Sequence, residues 1–348
     1  MQGNLGSIAE RFVAADIGGT HARVALVQVA GDGAIDVQAY RKYNCAEFPS
    51  LTAILADFIA GQQGGTERMA IASAGVVLDG EVINSNLPWR VSLAEMRREL
   101  GLRELHVIND FAAAAHGAGR LATGDLRLLT PGVDTSRSGP MLVIGAGTGL
   151  GAAICISTVH GNVVLPTEAG MTAFAPVTPR EIEILRWLQR DSRHVAVEQL
   201  VSGPGLANLY RAICAIDGVA TQFTTPADIS NGARAGDAQA RDAVLSFCAL
   251  LGSVIGDLAV ISCAGSVHVA GGVLPQLLEF LPHSDFRARL VDKGAMRVFN
   301  ERVPVWLIEN ERLGVLGAAS WYQQHLRECA DDSRADNNTA RQEWAGTA

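Results

Sequence analysis

The chain has 348 residues, 48% of them hydrophobic, and a formal net charge of −8. That length allows two domains with a large core, the apolar content excludes a disordered chain, and the acidic balance argues against nucleic acid or an acidic membrane surface as partner. Its lysines are Lys42 and Lys293, neither in a G-x-x-x-x-G-K-[ST] loop, which excludes a P-loop enzyme.

Residues 1–11 are polar, expected to fray, and too short for a helix-turn-helix; they also lack the basic and apolar regions of a secretion signal. Next, Phe12-Val13-Ala14 and the segment 22–27 flank Ala15-Asp16-Ile17-Gly18-Gly19-Thr20, which reads as strand, tight turn, strand. Glycines there leave room for a ligand, and the turn's N–H groups can converge on an anion. A plain hairpin turn is the other reading. The meander runs on to 44 through Gly31-Asp32-Gly33, followed by helical spacing over 51–60, a strand at 69–74 and a hairpin turn at Asp79-Gly80. Ser92 and Glu95 form an S-x-x-E capping box for a helix over 92–100. A strand at 105–108 ends at Asn109-Asp110-Phe111, where an alanine-rich helix begins. Asp110 is thus an N-cap, a general base at the strand terminus where α/β proteins hold ligands, or both. Residues 117–139, rich in Gly, Ser, Thr and Asp, mark a domain crossover.

The second half repeats the opening. Met-Leu-Val-Ile-Gly-Ala-Gly-Thr-Gly-Leu-Gly, from Met141, is again an apolar strand entering a Gly/Thr turn, and Val269-Ala270-Gly271-Gly272-Val273 is a later strand and Gly turn. Two related halves closing on one phosphate-bearing ligand are the expectation. The G-x-G-x-x-A within this run imitates a dinucleotide fingerprint, but that motif must open a helix. Residues 152–159 are strand-like and turn at His160-Gly161-Asn162 into another strand, so a nicotinamide site is set aside. Thr178, Pro179 and Glu181 cap a helix over 179–190, and another starts at the Gly-Pro-Gly elbow after Ser202. Residues 243–265 are apolar enough to imitate a membrane span. Asp257 lies inside that run, at a cost of about 3 kcal/mol in a bilayer centre, so a buried core helix is expected. A last helix covers 313–327, and the polar tail from Glu328 reads as disordered. The six cysteines show no C-x-x-C pair and read as buried hydrophobes of a reducing compartment, and neither H-E-x-x-H nor a tight His/Cys cluster appears.

Glu168 in T-E-A-G, Glu198 before V-S-G-P-G, and Asn86 in S-N-L-P-W complete the candidates; singly each reads as a surface or turn residue. Together and in this order, A-D-I-G-G-T-H-A-R-V-A-L, S-N-L-P-W, I-N-D-F, V-I-G-A-G-T-G-L-G, V-S-G-P-G-L-A-N-L-Y-R-A-I and V-A-G-G-V-L-P resemble the bacterial glucokinase family of actin-like sugar kinases, from about Phe12 to Arg327. The resemblance implies a two-domain α/β, actin-like (RNase H-like) ATPase fold with a central cleft. Its small domain would be 12–119 plus 312–327, its large domain 120–311, with 1–11 and 328–348 disordered. It implies that Asp110 takes the proton from the hydroxyl that attacks the γ-phosphate of ATP. Asn86, Asn109, Glu168, Met171 and Glu198 would line the sugar. Ala15, Asp16, Ile17, Gly18, Gly19, Thr20, Gly145, Gly147, Thr148, Gly149, Gly271 and Gly272 would surround ATP, with Asp16 near Mg²⁺ through water. A cytoplasmic homodimer is implied, with no nucleic-acid or membrane partner. Phosphoryl transfer of this kind needs positioning and charge neutralisation more than covalent help.

One position departs from the family. Its sugar loop usually reads G-E-x-G-H, whereas here Thr167-Glu168-Ala169-Gly170-Met171 puts a thioether, at best a weak acceptor, in place of the histidine. The lost bond should cost about 1–3 kcal/mol, either weakening glucose or favouring a sugar with an apolar or substituted group there. His21 stands where Asn is usual in the first phosphate motif. The expectation is a hexose kinase acting on glucose, with a kinase of another hexose or amino sugar, or a non-catalytic sugar or nucleotide sensor, as rivals. A repressor related to sugar kinases is disfavoured by the short segment before the first strand.

Overall fold

The Gly/Thr turns after Ile17 and after Ala146 each close a hairpin where the alternating apolar segments place it. In a computed structural model, described over residues 10–31, 33–83, 87, 89–132 and 139–345, contacts divide the chain into two units. Unit 1 is Met1–Arg120, Val159–Gly161 and Glu311–Ala348; unit 2 is Leu121–Thr158 and Asn162–Asn310.

Unit 1 opens with β1 (Glu10–Ile17), β2 (His21–Val29) and β3 (Ile35–Asn44), an antiparallel meander. The first strand begins at Glu10, paired with Val29, within the segment expected to fray. Helix α1 (Leu51–Ala60) starts where the Ser50 hydroxyl accepts from Ala53 N–H at 3.1 Å. Strand β4 (Arg68–Ser73) lies parallel to β1. A small sheet follows of β5 (Val76–Leu78), β6 (Glu81–Ile83) and β7 (Val91–Ser92). Next come α2 (Leu93–Glu99), capped by Ser92, then β8 (Glu104–Asn109), parallel to β4, and α3 (Asp110–Ala118). The main sheet has the order β3-β2-β1-β4-β8. Val13, Val24, Ile54, Leu55, Met69 and Met96 form the core between that sheet and the helices.

Unit 2 repeats the pattern. It holds β9 (Leu126–Thr130), β10 (Met141–Ala146), β11 (Leu150–Thr158), β12 (Gly161–Thr167), β13 (Ser266–Ala270) and β14 (Val305–Ile308), ordered β12-β11-β10-β13-β14-β9. Strand β10 pairs antiparallel with β11 and parallel with β13, as β1 does with β2 and β4. The helices are α4 (Pro179–Leu188), α5 (Gly203–Asp217), α6 (Pro226–Arg234), α7 (Ala238–Ser262), α8 (Phe286–Val291) and α9 (Arg297–Asn300). Helix α7 is the one described helix long and apolar enough to cross a membrane. Here it is the centre of the unit: Val244, Phe247, Leu251 and Ile255 are fully buried, and it packs on α5, α6 and α8. Asp257, on its open side, pairs with Lys293 at 2.8 Å.

Helix α10 (Leu313–Ala345) returns to unit 1 and packs on α3, β1 and β4. It runs past Arg327, so the tail read as disordered continues the helix to Ala345. Ala, Arg, Glu and Gln in that stretch are good helix formers, and extending an existing helix needs no new nucleus.

Candidate active site

In unit 1 the register sets the site. Ile17 lies beside Ser73 and Ser73 beside Asn109, so the carboxyl ends of three parallel strands share one edge, the edge where α/β sheets hold ligands. The first phosphate turn leaves this edge: Gly18 N–H donates to the His21 carbonyl at 3.0 Å, and the Thr20 carbonyl accepts from Cys45 N–H at 2.9 Å. Thr20 is exposed, whereas Ala15 and Ile17 are core residues that offer a ligand only their backbone. Asn109, not Asp110, is the N-cap of α3. Its carboxamide oxygen accepts from Phe111 and Ala112 N–H, both at 3.0 Å, so its amide nitrogen is the end left to donate outward. Asp110 is the first helical residue, its carboxylate accepting from Phe111 N–H at 2.9 Å. Asn86 lies outside the described residues.

Asp16 faces Arg23, Oδ2 to Nη1 at 3.3 Å. Burial pushes its carboxyl above the ordinary range, and the Arg23 guanidinium partly opposes this. Among the described residues no three His, Cys, Asp or Glu side chains gather into a metal cage. Mg²⁺ needs none: it keeps several waters and takes one or two carboxylates plus nucleotide phosphates, a demand that Asp16, beside a turn of backbone N–H groups, fits.

In unit 2, Gly145 lies beside Ala270 in the parallel pair, so the turn Gly147-Thr148-Gly149 and the turn Gly271-Gly272 leave one strand edge together. Gly271 has φ +88°, and a Cβ on it would overlap the Ala146 carbonyl, so only glycine fits. Gly147 N–H donates to the Gly149 carbonyl at 2.8 Å, and the Gly147 carbonyl accepts from Gly203 N–H at 2.8 Å, tying the turn to the start of α5. Thr148 is exposed. Glu168 is exposed at the head of the 3-10 turn Ala169–Met171, where its carbonyl accepts from Met171 N–H at 2.9 Å. Met171 is 48% exposed. Glu198, in the 3-10 turn Val197–Gln199, places Oε2 2.8 Å from Leu150 N–H, against the phosphate turn itself.

Three features go beyond the candidate residues named from the sequence. A cavity of about 190 Å³, lined by Leu206, Pro226, Ser230, Asn231, Val273 and Gln276, adjoins the Gly271-Gly272 turn. Ser73, buried at the end of β4, turns its hydroxyl to the Ala74 carbonyl. His194 Nε2 lies 2.9 Å from the Met171 carbonyl; a carbonyl only accepts, so Nε2 carries the proton. No local pattern marks His194, because it acts on a segment 23 residues away, or Ser73, whose bond to its own neighbour has no spacing to read.

The glucokinase family model matches residues 13–325. A glucokinase-like protein of Xylella fastidiosa is 44% identical over 316 residues, covering 89% of this chain and 94% of that protein. A glucokinase of Chromohalobacter salexigens is 39% identical over 306 residues, covering 87% and 94%. The crystal structure of a glucokinase from an Antarctic psychrotroph superposes with a TM-score of 0.78 at 33% identity, covering 89% of this chain and 98% of that one. With both Gly/Thr hairpins, the Asn109-Asp110 junction and this similarity over nearly the whole described chain, the protein belongs to the glucokinase family, a sugar kinase on the two-domain actin-like α/β fold.

Proposed function

We propose that the protein transfers the γ-phosphoryl group of ATP to a hexose, with glucose the leading substrate and the 6-hydroxyl the acceptor. The observation that carries this reading is the junction of β8 and α3: Asn109 caps the helix, which sets the Asp110 carboxylate at the carboxyl edge of the parallel strands. There Asp110 takes the proton of the attacking hydroxyl, and the Asn109 amide, Glu168 and Glu198 hold other hydroxyls of the sugar, with Asn86 a further contact. The N–H groups of Gly19-Thr20 and Thr148-Gly149 bind phosphate oxygens, while Gly18 and Gly147 spend theirs closing the two turns. The cavity beside Gly271-Gly272 takes the adenine end, walled by Leu206 and Val273 with Ser230 and Asn231 as polar partners. Mg²⁺, held by Asp16 through water, would supply neutralisation of phosphate charge. With only two lysines in the chain, backbone amides and the metal carry that task. A cytoplasmic homodimer completes the reading.

Met171 favours a second reading, a kinase of a different hexose or an amino sugar, because a thioether at this exposed position gives no donor to a sugar hydroxyl. Both are tested by following ADP formation from ATP and Mg²⁺ over a panel of hexoses and amino sugars. Turnover with glucose, lowered about 10²–10⁴-fold by Asp110→Asn, is the expected outcome. Turnover with another sugar alone would assign Met171 to specificity. A folded protein that binds sugar without any turnover would be a sensor and would end the kinase reading.

A further inference from the structure

One side of α4 carries charges without partners. Glu183, Arg186, Trp187 and, just past the helix end, Arg190 follow the i, i+3, i+4, i+7 spacing that puts residues on one face. With Ala215 and Ile216 from the last turn of α5 they line a cavity of about 200 Å³. Trp187 and Ile216 are packed against the unit 2 core, which fixes two of the walls, while Glu183, Arg186 and Arg190 are exposed. Arg180, on the same helix, is held by Asp217 and Asp242. Among the described residues neither Arg186 nor Arg190 has an ion pair or a side-chain hydrogen bond, and Glu183, three residues before Arg186, is left unpaired as well. Like charges one turn apart destabilise a helix, yet a chain with a net charge of −8 gives neither arginine a carboxylate. The wall formed by α5 does not oppose an anion with open carbonyls at its last turn: Ala215 accepts from Gly218 N–H and Cys214 from Val219 N–H.

We propose that this cavity binds a small phosphate monoester that also carries hydroxyl groups, a compound of the sugar phosphate class. None of its residues belongs to the candidate active site. The guanidinium forks of Arg186 and Arg190 match phosphate oxygens in geometry and charge. Trp187 gives a flat apolar wall for the body of the ligand. Glu183 repels the phosphate but accepts from hydroxyls at the other end, so a bare anion would gain nothing from Glu183 or Trp187. The volume lies below the roughly 300 Å³ at which pockets for drug-sized ligands begin, which suits a monophosphate and not a nucleoside triphosphate. The site stands whether or not the kinase reading does, although a hexose kinase would itself release a ligand of this class.

The experiment is titration of the full chain with glucose 6-phosphate at low salt and with saturating glucose, followed by calorimetry and tryptophan fluorescence. One molecule binds, and Arg186→Gln and Arg190→Gln each raise its Kd about tenfold. Arg186→Lys recovers only part of the loss, because an ammonium lacks the fork, and Trp187→Phe removes the fluorescence change. Glu183→Gln separates the ligand classes by sign: it weakens glucose 6-phosphate and tightens inorganic phosphate. These side chains are solvent-facing except Trp187, so the arginine and glutamate variants keep the fold, and their ADP formation without added sugar phosphate equals that of the wild type. No binding at millimolar concentration, or an unchanged Kd when both arginines are replaced by Gln, would overturn the site. Inorganic phosphate binding as tightly as glucose 6-phosphate would reduce it to an anion patch and overturn the sugar phosphate class. Absence of ADP formation with every hexose would end the kinase reading and leave this site untouched.

Discussion

Asp16 carries opposed demands. It is four-fifths buried, and an ideal Cβ on Gly314 would overlap its carboxyl carbon, so the first turn of α10 sits directly against it. Burial raises its pKa, and Arg23 at 3.3 Å offsets only part of this. A carboxyl whose pKa is raised by folding stabilises the fold while protonated, below the unfolded value, and that contribution is lost as pH rises through the folded value. At neutral pH the ionised group is therefore a cost to stability. Asp16→Asn should melt above the wild type at pH 7 in thermal denaturation, while under the role proposed for Asp16 at Mg²⁺ turnover falls about 10–100-fold, the usual loss for an outer-shell group at a metal. A variant that melts below the wild type across pH 6–8 would show that the Arg23 pair outweighs the burial. The sequence names Asp16, but neither its partner across the hairpin nor Gly314, almost three hundred residues away, because such contacts leave no local spacing.

Helices show the same division between local and distant causes. Caps are legible: Thr178 accepts from Glu181 N–H at 3.2 Å while Glu181 returns to Thr178 N–H at 3.4 Å, as the T-P-R-E spelling implies. Ser92 accepts from Glu95 N–H at 3.4 Å, which is the first half of the capping box its S-x-x-E spelling implies. What a helix packs on is not legible. Strand β9 falls in the stretch read as a crossover, yet it pairs with β14 on the edge of the unit 2 sheet, a partner over 170 residues on. In unit 1, α3 and α10 meet backbone to backbone. A Cβ on Gly317 would overlap the Ala113 carbonyl, and one on Gly117 would stand 2.6 Å from the Leu313 carbonyl. Glycine within a helix costs about 1 kcal/mol relative to alanine, so at an open site Gly317→Ala would stabilise by roughly that amount. Here the crossing reverses the sign: overpacking should destabilise unit 1 by about 1–3 kcal/mol. Urea unfolding decides it through the midpoint, and a higher midpoint for Gly317→Ala would mean that the helices separate without penalty.

Across the molecule, the repeat of a Gly/Thr hairpin was enough to read two related halves, and the sheets share the arrangement of three meander strands followed by two parallel ones. The repeat is legible because it is made of short, turn-closed strands; the buried histidines inside each half are not, since nothing in a sequence tells which face of an element a lone histidine takes. One lies in each unit. His116, on α3, and His268, on β13, are 4% and 8% exposed, and each has an Nδ1 without a partner. Burial pushes both to about 4 from an ordinary 6.5. Folding thus keeps them neutral, and the stability this gives is complete above pH 6.5 and is lost as pH falls towards 4. By pH 5 each takes away about 2 kcal/mol, out of a total that is about 5–15 kcal/mol for a typical domain. His106, held low by burial and by His325 beside it, acts in the same sense. The carboxylates held low by partners, such as Asp217 beside Arg180 and Glu104 beside Tyr322, lose their contribution only below their ordinary range near 4; Asp16, raised by burial, titrates alike in wild type and a histidine variant, so the difference between the two from pH 6.5 to 5 isolates the histidine. Denaturant midpoints measured across that window should fall steeply for the wild type and by about 2 kcal/mol less for His268→Gln; parallel profiles for the two proteins would mean that His268 finds a proton partner in the fold and titrates without unfolding it.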